Sequence, residues 1–172
     1  MRSTKKNEAD KRPWYIYNVK FVWGIQRNVF TEVCTPTHPA PILACGIYYT
    51  EVNILNYHDD REAYIHKDYV QLVKENKAIG FEPEQQKANS ILRKPFILKP
   101  NSATGDDSCG LAEILRVRNL LNIGFLKIVS DIPLSVTAVY TLSDLENRPV
   151  NISVNQIFES RLEYLEDVSG KK

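Results

Sequence analysis

An aromatic segment near the N-terminus constrains the fold more than any other part of the chain. In residues 15–23 every odd position is apolar, and the even positions include Asn18 and Lys20. The apolar set is Tyr15, Tyr17, Val19, Phe21 and Trp23. Aromatic and β-branched residues that recur at every second position indicate a strand with one buried face. The segment therefore predicts a β-sheet whose inner face packs against other elements.

Three later segments have apolar residues at helical spacing. They cover about residues 59–77, 111–121 and 153–165. Asp107 or Ser108 can cap the second helix, because short side-chain oxygens accept hydrogen bonds from the first free amides of a helix. Further strands are expected at 28–34, 91–98, 124–129 and 134–142, with the last two forming a hairpin. Together these elements predict an α+β fold in which an antiparallel sheet is packed against helices.

The length of the chain favours one domain. A chain of 172 residues buries roughly 70% of its unfolded surface and is stable without disulfides. We expect a flexible basic tail at residues 1–12, a single α+β domain at residues 13–168 and frayed residues at 169–172.

The sequence predicts neither a membrane span nor a secretory signal. Its apolar stretches, of which 40–49 is one of the longest, fall short of the roughly 20 residues that a spanning helix needs. The first ten residues contain no apolar run that could act as a signal. Three widely spaced cysteines, Cys34, Cys45 and Cys109, predict free thiols. These features favour a soluble protein of the cytoplasm.

Charges are unevenly distributed along a chain whose net charge is only +1. Residues 1–12 hold five basic and two acidic side chains, and residues 74–99 hold six basic and three acidic ones. Residues 159–167 hold four acidic side chains and one basic side chain. The overall balance is not that of a dedicated nucleic-acid binder. The separated charges instead favour contact with an anionic surface and with a second copy of the chain.

No group of residues in the sequence predicts catalysis or a bound metal. The segment His58-Asp59-Asp60 and His66 offer metal-binding side chains, but a metal site needs three or four ligands that converge. Cys34 precedes His38 by four residues, yet no third group is available to orient such a pair. We therefore interpret these residues as ordinary strand and surface residues, and expect neither an enzyme nor a cofactor.

Two further features have both a chemical and a structural interpretation. Asp106 and Asp107 resemble a pair of catalytic carboxylates, but they lie in a turn-rich segment where aspartate caps the backbone. Trp14, Tyr15 and Trp23 could stack on nucleic-acid bases, but their strand needs a buried face. The structural interpretation is favoured for both.

Several short motifs resemble those of one viral family. They are the strand 15–23 after a basic tail, Leu-Asn-Ile-Gly-Phe-Leu-Lys at 121–127, Val139-Tyr140, Leu145-Glu146 and Arg148-Pro149-Val150. In these motifs the chain resembles the rhabdovirus matrix proteins, especially the small ones of plant cytorhabdoviruses. The resemblance implies a single α+β domain and a structural protein of the virion, located in the host at membranes of the cytoplasm.

The resemblance also implies partners. Matrix proteins self-associate, bind the inner leaflet of the membrane and condense the ribonucleoprotein. The expected partners are thus a second copy, the viral nucleocapsid, an anionic membrane surface and a viral glycoprotein tail, with RNA contacted indirectly or weakly. The side chains that would bind membrane and ribonucleoprotein are Lys5, Lys6, Lys11, Arg12, Arg93 and Lys94. The acidic side chains that would take part in self-association are Glu163, Glu166 and Asp167.

Two other functions are open from the sequence alone. One is a single-stranded RNA-binding module of viral origin, in which Trp14, Tyr15 or Trp23 stacks on bases. The other is a small cysteine hydrolase, in which Cys34 or Cys109 is the nucleophile and a histidine is the base.

Overall fold

The computed structural model describes residues 13–27, 45–74, 77–78, 95–116 and 120–162, which form ten strands and one short helix. The strands are β1 Trp14–Gln26, β2 Gly46–Asn56, β3 Ala63–Lys74, β4 Lys77–Ala78, β5 Phe96–Leu98, β6 Ser102–Asp107, β7 Asn122–Ser130, β8 Ser135–Ser143, β9 Pro149–Ile157 and β10 Ser160–Leu162. The helix, α1, spans Ser108–Leu115. The predicted α+β fold, with a sheet packed against helices, is wrong: the described chain is a β fold with one helix.

The strands form two antiparallel sheets that are joined through β1. In sheet A the order is β10, β1, β7 and β3, and both β4 and β5 pair with the far edge of β3. In sheet B the order is β9, β8 and β2, and both β6 and the C-terminal end of β1 pair with the far edge of β2. Inward-facing residues of both sheets belong to one hydrophobic core, so the sheets pack as a sandwich.

The chain changes from one sheet to the other at Gly24. Trp23 is still opposite Asn122 of β7, whereas Gly24 is opposite Tyr48 of β2. The φ angle of Gly24 is +100°, a value that residues with a Cβ rarely adopt, and a Cβ here would lie 2.0 Å from the carbonyl oxygen of Leu120. Only glycine fits where β1 leaves sheet A.

Replacing Gly24 by alanine is expected to destabilise the fold. Backbone strain alone costs at least about 1–3 kcal/mol, and the clash with the Leu120 carbonyl adds to it. The measurement is the free energy of unfolding by chemical denaturation. Gly110→Ala is the control, because a Cβ at Gly110 would lie 3.4 Å from Oδ1 of Asp107, an ordinary contact. Equal losses in the two variants would contradict the role of Gly24.

A buried ion pair joins the two sheets. Lys67 lies on the inner face of β3 in sheet A, and its Nζ is 2.6 Å from Oδ2 of Asp106 on β6 in sheet B. The two side chains are 6% and 13% exposed. The Lys67 ammonium also lies 5.0 Å from the centre of the Phe96 ring, within range of a cation–π contact. Each charge is thus held in the core by a partner on the opposite sheet.

Removing one member of this pair is expected to cost more than removing both. Lys67→Met or Asp106→Leu removes one partner of a buried ion pair, and each is expected to lose about 3–5 kcal/mol of stability. The double variant should lose clearly less than the sum of the two single losses, because no charge is then left buried. Denaturant unfolding of all four proteins measures this coupling. Additive losses would show that the two side chains do not act as a pair.

Two of the three predicted helices are strands. The predicted helix 59–77 contains β3, whose buried positions alternate; two of them are Lys67 and Gln71. Because these two buried residues are polar, the apolar residues of β3 do not alternate in the sequence, and the strand pattern could not be recognised. Within the predicted helix 153–165, the described residues form the end of β9, a two-residue connection and β10. The predicted helix rested on the helical spacing of residues such as Val154, Ile157 and Phe158, but Val154 and Ile157 lie on opposite faces of β9.

The third predicted helix exists but is shorter than expected. It begins at Ser108, and Oδ1 of Asp107 accepts a hydrogen bond from the Gly110 amide at 2.6 Å. This geometry confirms the predicted cap. The helix ends before Arg116, whose φ of +52° is left-handed, and does not reach residue 121.

The predicted strands at 124–129 and 134–142 are confirmed as β7 and β8, but they do not form a hairpin. β7 pairs with β1 and β3, whereas β8 pairs with β2 and β9. The connection between them crosses from sheet A to sheet B, and it buries Ile132 and Leu134 in the core. Of the predicted strand 91–98, β5 covers Phe96–Leu98. The predicted strand 28–34 and both predicted flexible ends, 1–12 and 169–172, lie outside the described residues.

Candidate protein-binding edge

β9 forms one edge of sheet B. It pairs with β8, and no strand in the described ranges pairs with its other edge. From Pro149 to Ile157 it contains no charged residue. Proteins usually protect a free edge strand with charged side chains, because unpaired backbone amides and carbonyls are a template for another strand. β9 does not have this protection.

The outer face of β9 carries an exposed apolar stripe, formed by Val150, Ile152 and Val154. Their side chains are 62%, 62% and 64% exposed. On β8 the stripe continues, because Val139 lies opposite Val154 and Thr141 lies opposite Ile152. Branched side chains that stand in a row on an exposed sheet surface provide apolar contact area for a partner.

A β-bulge lies near the start of β9. Leu142 of β8 is opposite Asn151, but the next residue, Ser143, is opposite Pro149. Val150 is therefore an extra residue in the ladder, and regular pairing runs from Asn151 to the end of the strand.

The turn before β9 is organised around Asp144. Its Oδ1 accepts hydrogen bonds from the amides of Glu146 and Arg148, both at 2.9 Å, and its Oδ2 accepts one from Nε of Arg148 at 2.5 Å. Asn147, with a φ of +64°, completes the reversal. These hydrogen bonds favour the carboxylate form and lower the pKa of Asp144 below its ordinary value. The turn fixes where β9 begins.

The pH dependence of this turn follows from the lowered pKa of Asp144. Its hydrogen bonds are fully present above the ordinary carboxyl pKa, and they are lost as the pH falls through the lower value of the folded protein. The amide chemical shifts of Glu146 and Arg148 should therefore titrate with a midpoint below 3.8, the ordinary value. Asp144→Asn should abolish this titration. A midpoint at or above 3.8 would contradict the assignment.

An open hollow of about 290 Å³ lies beside β9. Its walls include three tyrosine side chains, Tyr48, Tyr49 and Tyr140. Asn151 and Ser153, which alternate with the apolar stripe along β9, also line it. The remaining lining residues are Lys20, Val22, Thr141 and Leu142. Burial raises the pKa of both Tyr48 and Tyr140, so their hydroxyls are neutral at physiological pH.

The charged residues that the sequence predicted as binding sites do not lie in the described part of the chain. The basic ones are Lys5, Lys6, Lys11, Arg12, Arg93 and Lys94, and the acidic ones are Glu163, Glu166 and Asp167. The β9 edge is therefore a different candidate site, which sequence analysis missed. Its signal was the alternation of Val150, Ile152 and Val154 in a segment without charges.

His58, His66 and Asp59, which the sequence offered as metal-binding side chains, contact other groups of the protein. The His58 Nε2 is 3.0 Å from the Pro133 carbonyl oxygen, and the His66 Nε2 is 3.0 Å from Oδ1 of Asp68. Asp59 accepts a hydrogen bond from the side chain of Asn101. In the ranges that the structure covers, no three His, Cys, Asp or Glu residues are grouped so that they could hold a metal ion.

The residues of the two alternative functions are dispersed. Cys34 and His38 are not among the described residues, and Cys109 is exposed in the first turn of α1. Trp23 is 3% exposed and packs against the rings of Phe21 and Tyr69, so it is not accessible to a nucleic-acid base. Trp14 and Tyr15 are half-buried beside β10.

Within the described residues, no helix has the length and hydrophobicity needed to cross a bilayer. No protein-family model matches the chain, and no curated protein matches it either. Among solved structures, the chain is similar to the crystal structure of Thermotoga maritima 1070, with a TM-score of 0.44 and 10% sequence identity. That similarity covers 87% of this chain and 95% of the other.

Proposed function

We propose that this chain is a non-catalytic assembly protein, which binds a segment of another protein as an added strand along the free edge of β9. One observation carries the proposal: a nine-residue edge strand that is exposed and uncharged. In strand addition, hydrogen bonds between main chains supply the affinity, and pockets for alternate side chains supply the specificity.

The backbone of β9 has the groups that strand addition uses. Alternate residues of an edge strand direct their N–H and C=O groups away from the neighbouring strand. Among the residues of β9, only Pro149 lacks an amide donor. Its position at the start of the strand leaves the regular ladder from Asn151 to Ile157 able to pair.

The two faces of β9 supply the side-chain contacts. A strand added beside it would place alternate side chains next to Ile152 and Val154 on one face. Its other side chains would lie on the face of Asn151 and Ser153, which line the tyrosine-walled hollow. A partner strand with apolar residues on one face and small or polar residues on the other fits this edge.

The viral matrix role that the resemblance implied is a narrower form of this proposal. It adds an anionic membrane and a ribonucleoprotein as partners, through basic residues outside the described part of the chain. One motif of the resemblance, Asn122-Ile123-Gly124, makes internal contacts here. Asn122 accepts a hydrogen bond from Gln71, and a Cβ at Gly124 would lie 2.3 Å from the Tyr69 hydroxyl oxygen. Packing is thus sufficient to explain this motif.

A synthetic peptide can serve as the probe for strand addition. We expect a labelled peptide of alternating threonine and valine, matched in length to β9, to bind the full chain. Fluorescence anisotropy measures the binding, and hydrogen exchange should show new protection of amides between Val150 and Ile157. The narrower matrix role requires, in addition, that the chain sediments with anionic vesicles at low salt and less at high salt.

Two controls make this experiment specific. The same peptide with proline at two adjacent central positions loses an amide donor on each of its edges, which interrupts the ladder, and should not bind. Ile152→Lys with Val154→Lys should weaken binding of the original peptide, while Tyr57→Lys, an exposed position away from β9, should not. Absence of binding by the alternating peptide, or protection elsewhere than in β9, would refute the proposal.

A further inference from the structure

We infer that the strand which adds to β9 is the β9 of a second copy of this chain, antiparallel to the first, with a twofold axis at Ser153. The inference rests on the proposed function, because it names the partner of the same edge. Three properties of β9 support it: its lack of charge, its match to itself, and the position of its bulge.

The first property removes the usual obstacle to pairing between identical edges. Two copies of a charged strand place like charges near each other and repel, which is how many proteins keep their edges apart. Between Pro149 and Ile157 there is no charge that could repel. The polar side chains of the strand, such as Asn151 and Asn155, are neutral and can both donate and accept hydrogen bonds.

The second property is that the strand matches itself when it is paired about its midpoint. Ser153 is the central residue of Pro149–Ile157, so an antiparallel copy centred there pairs the regular segment 151–155 with itself. Ile152 is then opposite Val154, and Asn151 is opposite Asn155. Over these five residues apolar side chains meet apolar ones on one face and amides meet amides on the other, whereas the outer pair places Val150 opposite Gln156. Such matched cross-strand pairs are the unit of sheet stability.

The third property distinguishes this register from its neighbours. Centring the pair on Ile152 would place Val150, the bulged residue, opposite Val154 and so require a ladder through the bulge. Centring it on Val154 would place Ile152 opposite Gln156 and Asn151 opposite Ile157. Only the Ser153 register keeps the five central residues regular and matched.

The dimer joins the two B sheets into one. The strand order across the axis becomes β2, β8, β9 and then β9, β8, β2 of the second copy, and the two apolar stripes form a single surface. The hollows, which each include Ser153 in their lining, meet at the axis. Because each copy offers the same patch, the contact closes after two copies. A pair of strands is a small interface, so the association is expected to be weak and dependent on concentration.

Charge substitutions at Ile152 and Val154 test both the pairing and its register. In the Ser153 register, residue 152 of one copy is opposite residue 154 of the other. Ile152→Lys with Val154→Lys places like charges opposite each other at both positions, and should weaken dimerisation about tenfold or more. Ile152→Lys with Val154→Glu places opposite charges there, and should restore most of the association. Both positions are exposed, and circular dichroism confirms that the variants are folded.

Sedimentation velocity of the full chain over a range of concentrations gives the dimer dissociation constant for each variant. Restoration by the lysine–glutamate variant, lost at high salt, supports the Ser153 register. If that variant is as weak as the lysine–lysine one, the register is wrong, because the Ile152 register would place the two lysines opposite each other. As a second measurement, Ser153→Cys should crosslink to itself on oxidation, identified by peptide mass, while Cys45 and Cys109 should not.

The outcomes also separate this inference from the proposed function. If the chain remains monomeric at high concentration but the alternating peptide still binds to β9, the edge accepts strands and the second copy is not its partner. If the peptide does not bind and the chain is monomeric, both proposals fall. If dimers form but the charge variants leave them unchanged, a different surface holds them and the inference is overturned.

Discussion

The sharing of one strand between two sheets is the constraint on which the rest of this fold depends. β1 pairs with β7 up to Trp23 and with β2 from Gly24. The connection from sheet A to sheet B after β7 is attached to the same strand, because the Tyr17 hydroxyl donates to the Leu134 carbonyl at 3.1 Å and accepts from its amide at 2.6 Å. Burial raises the pKa of Tyr17 to about 12, so the hydroxyl keeps the proton that it donates.

Buried polar side chains determine how sheets A and B pack against each other around β1. The Thr50 hydroxyl donates to the Val22 carbonyl at 2.8 Å and accepts from the Val22 amide at 3.0 Å, close to the point where β1 enters sheet B. Lys67 and Asp106 connect the sheets farther along. Apolar packing tolerates small shifts in register, whereas such hydrogen bonds and ion pairs do not, because a buried group left without its partner is costly. The polar contacts therefore allow only one register of the strands that surround the apolar core.

The same polar residues explain how much of the fold could be predicted from the sequence. β1, β7 and β8 were predicted because their inward positions are apolar, and the Asp107 cap because capping is local. β3 was mistaken for a helix because Lys67 and Gln71 occupy inward positions, and only their partners on other strands make that possible. Which strands pair depends on contacts between distant parts of the chain. β7 and β8 were therefore predicted to form a hairpin only because they are neighbours in the sequence. At the β9 edge, Val154, Ile157 and Phe158 happen to have the spacing of a helix face.

The edges of the described sheets differ in a way that favours β9 as the binding edge that we propose. At the edges of sheet A, β4, β5 and β10 have only two or three residues, and the part of β3 that β4 and β5 leave without a described strand partner, 66–72, contains Lys67 and Asp68. β6, at the other side of sheet B, has six residues, including Asp106 and Asp107. β9 alone in the described chain is long, exposed and uncharged, although a quarter of all residues are charged (25%). An open, uncharged edge strand lowers the solubility of a protein. Its presence here, where the other described edges are short or charged, is consistent with an edge that binds a partner.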